Sequence, residues 1–211
     1  MRETKTHIFF WGSEFSNWHH CEFTYKGHDF KNTEQAFMWE KAMYFNDQEI
    51  ADEILITPSP SSNKGLGRAV KNFDPKTWLV DGYPIMVAVN LSKYFQNEDL
   101  KKILLRTGDK ILVEASPYDT IWGIGFKESD NDVLDESKWK GKNLLGKALM
   151  DVRNHIKYEI YLKHISESVD NKLLSKEEFL KYLNKDEDIV KRDGEKFVVN
   201  FVKNWEEHFI K

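Results

Sequence analysis

Thr33-Glu34-Gln35-Ala36-Phe37 places a carboxylate in what reads as the first turn of a helix. There the positive end of the helix dipole should keep Glu34 ionised, which suits a charge that faces a developing cation or polarises a water. An acid at a helix start is also an ordinary stabilising feature. Ser59-Pro60-Ser61-Ser62-Asn63-Lys64-Gly65-Leu66-Gly67-Arg68 sets two glycines between two cations. Such a loop lets backbone approach an anion while Lys64 and Arg68 neutralise it, although a flexible basic loop without a ligand fits equally. Its glycine spacing is not that of a Walker A loop. In Glu114-Ala115-Ser116-Pro117-Tyr118-Asp119-Thr120-Ile121-Trp122-Gly123-Ile124-Gly125, a strand end and a proline turn can present Asp119 beside a flat aromatic surface. Trp122 could stack on a base or sugar, with Gly123 and Gly125 permitting close approach. A structural turn around a buried tryptophan is the plainer alternative. Gly141-Lys142-Asn143 opens a further helical pattern, and free amides beside an ammonium make a phosphate site there. Leu145 and Leu149 behind it are ordinary core.

Other chemistries find less support. His19-His20-Cys21 with His28 beyond invites zinc, but strand neighbours point to opposite faces and no second pair stands at ligand spacing. No metal site is expected. There is no Gly-x-Ser-x-Gly elbow and no Cys-His dyad, so nucleophilic acyl transfer is disfavoured. Charged residues make up 31% of the chain, yet the signs nearly cancel to a net charge of -4. That argues against wholesale coating of a polyanion. Cationic charge is instead concentrated: residues 63–76 hold Lys64, Arg68, Lys71 and Lys76 against Asp74 alone, and residues 138–147 hold four lysines and no acid. The single cysteine, Cys21, excludes an intrachain disulfide. No signal-like or membrane-spanning apolar run is present, so the expected location is the cytoplasm.

These residues need elements to hold them. His7 to Trp11 is a run of β-formers, and Cys21, Phe23 and Tyr25 alternate with polar residues before turn chemistry at Lys26-Gly27-His28-Asp29. From Thr33, expected to cap, the pattern turns helical. Asn46 with Glu49 resembles a capping box for a second helix, and Pro58 and Pro60 should break the chain. Asp74-Pro75 places a capping residue before a first-turn proline, putting Trp78 near a helix start. Helices are expected around 85–94 and 97–106, a strand at 111–115, and a helix from about Lys142 into the 150s. Beyond Arg153 the pattern remains helical, with a capping-box match at Ser175-Lys176-Glu177-Glu178 and an apolar face of Phe197, Phe201, Trp205 and Phe209. The expected fold class is α+β, mainly α.

Taken in order, these segments resemble the YbiA-like, or NADAR, family over approximately residues 8–153. The resemblance rests on Phe10-Trp11, Phe15-Ser16-Asn17-Trp18, Thr33 to Phe37 with Lys41, Ser59-Pro60 through Gly67-Arg68, and Trp78. It continues with Glu114 through Asp119 to Trp122-Gly123-Ile124-Gly125, Gly141 to Gly146, and Met150-Asp151-Val152-Arg153. It implies a YbiA-like single domain over 1–157, with short N-terminal strands and a helical C-terminal extension over 158–211. It also implies an N-glycosidase that cleaves the bond between a phosphorylated ribose and a nitrogen base. The substrate would be a phosphoribosylamino-pyrimidine of riboflavin synthesis or ADP-ribosylated guanine. The family's catalytic positions fall on Glu34, Trp78 and Asp119. Lys64, Arg68 and Asn143 match its phosphate and ribose contacts, with Gly67, Trp122 and Gly123 completing the expected binding set. Gln35-Ala36-Phe37 departs from the His-Tyr-Phe of some relatives, and the tail has no counterpart in short members. No cofactor is expected. A non-catalytic module that binds ADP-ribose or a nucleotide is the alternative reading.

Overall fold

The computed structural model describes residues 1–170; the capping box at 175–178 and the aromatic face at 197–209 lie outside the described residues. The chain divides into two compact units, Met1–Lys157 and Tyr158–Lys211. The first is α+β and mainly α, and the site lies in it.

Three strands form its small mixed sheet, in the order β1 (Arg2–Glu3), β2 (His7–Phe10), β5 (Ile111–Glu114). The central β2 pairs antiparallel with β1 and parallel with β5, in a register that sets Phe10 beside Glu114. A parallel pair requires a long crossover, and here it contains most of the domain. The sheet is covered on both sides, so β2 alternates between two cores rather than between core and solvent. Phe10 joins Phe15, Phe37, Leu112 and Leu145. Phe9 joins Val113, Ile124 and Val133.

The crossover begins with a hairpin of β3 (Phe23–Tyr25) and β4 (His28–Phe30). Lys26 and Gly27 both take positive φ, the conformation that a two-residue hairpin turn demands. Helix α1 (Thr33–Tyr44) follows and is buried on nearly every face. Its cap is Asn32 rather than Thr33: the Asn32 side chain accepts the Gln35 N–H at 2.9 Å. Gln35 in turn donates to the carbonyls of Ile54 and Thr57 at 2.9 and 3.1 Å. That ties α1 to the end of α2 (Gln48–Ile56), which Asp47 caps in place of the expected Asn46.

Residues 60–69 form a helix, α3 (Pro60–Ala69), where a loop was expected. Ser59 caps it, and Pro60 sits in the first turn, where its missing N–H costs nothing. Gly67 serves helix packing: a Cβ there would lie 2.0 Å from the Met38 sulfur on α1. Lys41 of α1 completes the join by donating to the Gly67 carbonyl at 2.7 Å.

Helix α4 (Pro75–Gln96) begins as expected, with the Asp74 carboxylate accepting from Lys76 and Thr77 N–H groups. It then runs unbroken through Pro84, uniting two expected segments. Proline removes the bond to the carbonyl four residues back. That residue is Val80, 71% exposed, where solvent can take the lost partner's place. Helices α5 (Glu98–Arg106) and α6 (Leu144–Asp170), with two short 3-10 turns at Asn131–Leu134 and Glu136–Lys138 before α6, complete the described elements. Among the described residues no helix is long and apolar enough to cross a membrane.

Candidate active site

Between α1, α3, α4 and the segment after β5 lies a cavity of about 350 Å³. Glu34, Lys64, Gly67, Arg68, Trp78, Asp119 and Trp122, widely spaced in sequence, all line it. A backbone lattice accounts for that convergence. Behind β5, the segment 119–125 is laced to 140–145. Lys142 N–H donates to the Thr120 carbonyl at 3.0 Å, Leu145 N–H to Trp122 at 3.0 Å, and Lys140 and Gly141 N–H groups to Ile124 at 3.0 Å. Contact this close leaves no room for side chains. A Cβ on Gly141 would fall 2.2 Å from the Gly123 carbonyl oxygen, and one on Gly146 would fall 2.0 Å from that of Leu112.

Within this lattice one oxygen of the Asp119 carboxylate is fixed and the other faces a cation. Oδ1 accepts the N–H groups of Ile121 and Trp122 at 2.9 and 2.8 Å. Oδ2 faces Lys64 Nζ of α3 at 3.8 Å. At that distance the two attract without a direct hydrogen bond, leaving the ammonium donors available to a ligand.

Glu34 sits in the first turn of α1 and is 6% exposed. Its N–H donates to the Asn17 carbonyl at 2.9 Å, docking the loop that carries Asn17 and Trp18 over the helix end. Lys93 of α4 steadies the same loop by donating to the carbonyls of Glu14 and Ser16 at 3.0 and 3.4 Å. Burial pushes the Glu34 carboxyl up to about 7, although Lys64, a hydrogen bond from the Trp18 side chain and Arg68 oppose it. The helix end therefore does not set the Glu34 titration by itself, because burial outweighs it. A dipole contributes roughly 0.3–1 kcal/mol, under one pKa unit, while full burial shifts a carboxyl by up to ~3–5 units.

The third acid, Glu114 at the end of β5, was absent from the expected site. Burial, reinforced by the charges of Asp119 and Glu34, raises it to about 8 against the pull of Lys64. The sequence placed it at the head of the Glu114 to Gly125 segment, closing the apolar run Ile111-Leu112-Val113, but gave it no role. Trp18 and Tyr83 line the cavity too.

Tryptophans form the aromatic walls. Phe37 lies between Trp78 and Trp122, with ring centroids 5.2 Å from each, the first pair tilted and the second edge-on. Two oxygens near these walls, Asn17 Oδ1 and Glu114 Oε2, are buried without a hydrogen-bond partner.

Two expected binding residues do not line the cavity. Asn143 is 1% exposed and uses both ends of its amide on β5, accepting from Glu114 N–H at 3.0 Å and donating to the Leu112 carbonyl at 2.8 Å. Gly123 is buried in the lattice, where a Cβ would meet the Asp119 and Glu114 carbonyls at 2.9 and 3.0 Å. The structure thus gives both a place in the scaffold beside the acids rather than on the cavity lining. Among the described residues no group of three His, Cys, Asp or Glu side chains is placed to hold a metal ion.

Carboxyl groups gathered under aromatic walls, with cations at the side, are the equipment of a glycosidase. Residues 9–157 match the model of the NADAR domain, and the chain belongs to that family of enzymes. It is 40% identical over 164 residues to the N-glycosidase R617 of Acanthamoeba polyphaga mimivirus, covering 72% of this chain and 96% of that one. It is 41% identical over 129 residues to the protein irg-1 of Caenorhabditis elegans, covering 60% and 61%. The solution structure of the E. coli protein YbiA superposes with a TM-score of 0.62 at 27% identity, covering 76% of this chain and 90% of that one.

Proposed function

We propose that this protein hydrolyses the N-glycosidic bond between a phosphorylated ribose and a nitrogen base. The observation that carries the reading is the meeting of Asp119, Glu34 and Lys64 in one aromatic-walled cavity. Heterolysis of a C1′–N bond builds positive charge on the sugar, and a fixed carboxylate facing that carbon stabilises it or activates the attacking water. Asp119 takes this role because two backbone N–H groups hold it in place. Glu34, opposite on α1, orients a ribose hydroxyl or the water. Lys64 and Arg68 neutralise the phosphate, and that remote binding locates the reacting carbon. Trp78 and Trp122, on the cavity lining, offer aromatic surface to a flat ring. The names of several relatives as N-glycosidases support the same reaction.

Two substrates fit this chemistry: a phosphoribosylamino-pyrimidine of riboflavin synthesis, and guanine carrying ADP-ribose. Mass spectrometry on both in parallel, with Asp119→Asn alongside, tests the reading. Release of ribose phosphate or of ADP-ribose by the wild type, lowered at least ~10²-fold in the variant, supports it. Tight binding of either compound without turnover would instead make the protein a recognition module.

A further inference from the structure

The roles above leave one carboxyl of the cavity unused. Glu114 ends β5 at the C-terminal edge of the parallel pair, beside Phe10. Its N–H is held by Asn143 and its carbonyl accepts from Ile124 N–H at 3.0 Å, so the backbone fixes where the side chain emerges. The carboxyl lines the cavity with Oε2 buried and unpartnered. An unsatisfied buried polar atom is destabilising, so a bound molecule that supplies a partner is favoured there. The neighbouring acids differ in this respect. Asp119 has two backbone donors, and Glu34 has the Trp18 side chain with Lys64 and Arg68 nearby. Glu114 feels the attraction of Lys64 against the repulsion of two carboxylates, Asp119 and Glu34. Of the two glutamates lining the cavity, Glu114 is the one whose surroundings more strongly favour keeping a proton.

We propose that Glu114 is the catalytic residue that protonates the departing nitrogen base. This inference rests on the N-glycosidase reading. As the C1′–N bond breaks, its electron pair goes to the base, and the Glu114 proton is delivered to a base nitrogen. Water oxygen forms the new bond to C1′ and gives its proton to Asp119. Exchange with solvent then returns a proton to Glu114 and frees Asp119. The products are the neutral base and the ribose bearing a hydroxyl at C1′, and no oxidant or metal enters the balance.

A general acid matters only when the leaving group needs a proton, and the test uses that. The full chain and Glu114→Gln are compared on the phosphorylated N-riboside and on 4-nitrophenyl riboside 5-phosphate, whose nitrophenolate departs unprotonated. The expected result is a kcat lowered by about 10²–10⁴-fold on the N-riboside and by less than ~10-fold on the nitrophenyl compound. Glu114→Asp, which keeps the proton but draws it back, should show the same selectivity at smaller size if the glutamine variant folds poorly. Equal losses on both substrates, or an N-riboside kcat within ~3-fold of wild type, would overturn the assignment while leaving the N-glycosidase reading intact. A wild type inactive on both substrates overturns that reading, and the role of Glu114 with it.

Discussion

Replacing Asn143 by alanine separates its two roles, a ligand contact expected from sequence and a scaffold position seen in the structure. The substitution strands two buried backbone groups, the Glu114 N–H and the Leu112 carbonyl, bonded to the amide at 3.0 and 2.8 Å. Each orphaned group costs roughly 1–3 kcal/mol. Asn143 also has φ +54, a left-handed conformation that asparagine tolerates and that costs alanine about 1 kcal/mol more. The sum is about 3–7 kcal/mol, a large share of the ~5–15 kcal/mol that holds a typical domain folded. At ~2–4 °C per kcal/mol for a chain of this size, Tm should fall by at least ~6 °C. Urea unfolding followed by tryptophan fluorescence measures the loss. Asn143→Gly relieves the backbone strain but restores neither hydrogen bond, so it should recover only about 1 kcal/mol. Kinetic effects should appear in kcat, because the displaced group is the strand end that carries Glu114. A variant with stability within ~0.5 kcal/mol of wild type and a raised KM would refute the scaffold role and restore Asn143 as a ligand contact.

Stability should also fall as pH rises. Glu34 and Glu114 are raised by burial to about 7 and about 8, so the folded state holds protons that the unfolded chain releases near the ordinary 4.5. Their favourable contribution is complete below about 4.5 and is lost as pH climbs through 7 and 8. Urea unfolding at pH 5.5 and 8.5 should show the decline, with a shallower slope in Glu34→Gln; an unchanged slope there would contradict the burial argument. Lys64→Ala should raise KM for a phosphorylated substrate well above its effect on kcat, and an unchanged KM in steady-state kinetics would count against a phosphate contact. Gly146→Ala drives a Cβ to 2.0 Å from the Leu112 carbonyl and should cost about 3 kcal/mol or more, read as lost soluble yield or lowered Tm.

Much of this architecture was legible where local chemistry leaves one solution. The Lys26-Gly27 turn and the Asp74-Pro75 helix start are both found as the sequence suggests. Errors arose where two neighbours offer the same chemistry. Asn32 and Thr33 can both cap, as can Asn46 and Asp47, and only the chain's path decides which bonds. In the second case Asn46 takes the left-handed turn at φ +58, leaving Asp47 to cap. Helix α3 was hidden because two glycines each weaken a helix by about 1 kcal/mol, a local preference that packing against Met38 overrides. In the site, motif order was enough to gather Glu34, Lys64, Arg68, Trp78, Asp119 and Trp122 around one cavity. It could not distinguish residues that face the cavity from residues that shape the backbone behind it, hence the placement of Asn143 and Gly123. Glu114 stood in the motif without a role because its burial depends on a partner strand more than 100 positions away.

The cavity's two sides differ in how freely they can change. Behind the acids, β5 and the laced segments leave no space for even one added carbon at Gly141 or Gly146. Opposite them stand Phe73 and Leu79, 38% and 52% exposed and part of no buried cluster. Leu79 can be rewritten at little structural cost, and Phe73 at the cost of its packing on Phe45 and Lys41, while the carboxyl side stays fixed. A lineage built on this scaffold can therefore inherit its reaction intact and still exchange one substrate for another, with selectivity drifting along the outer wall while the chemistry is conserved opposite.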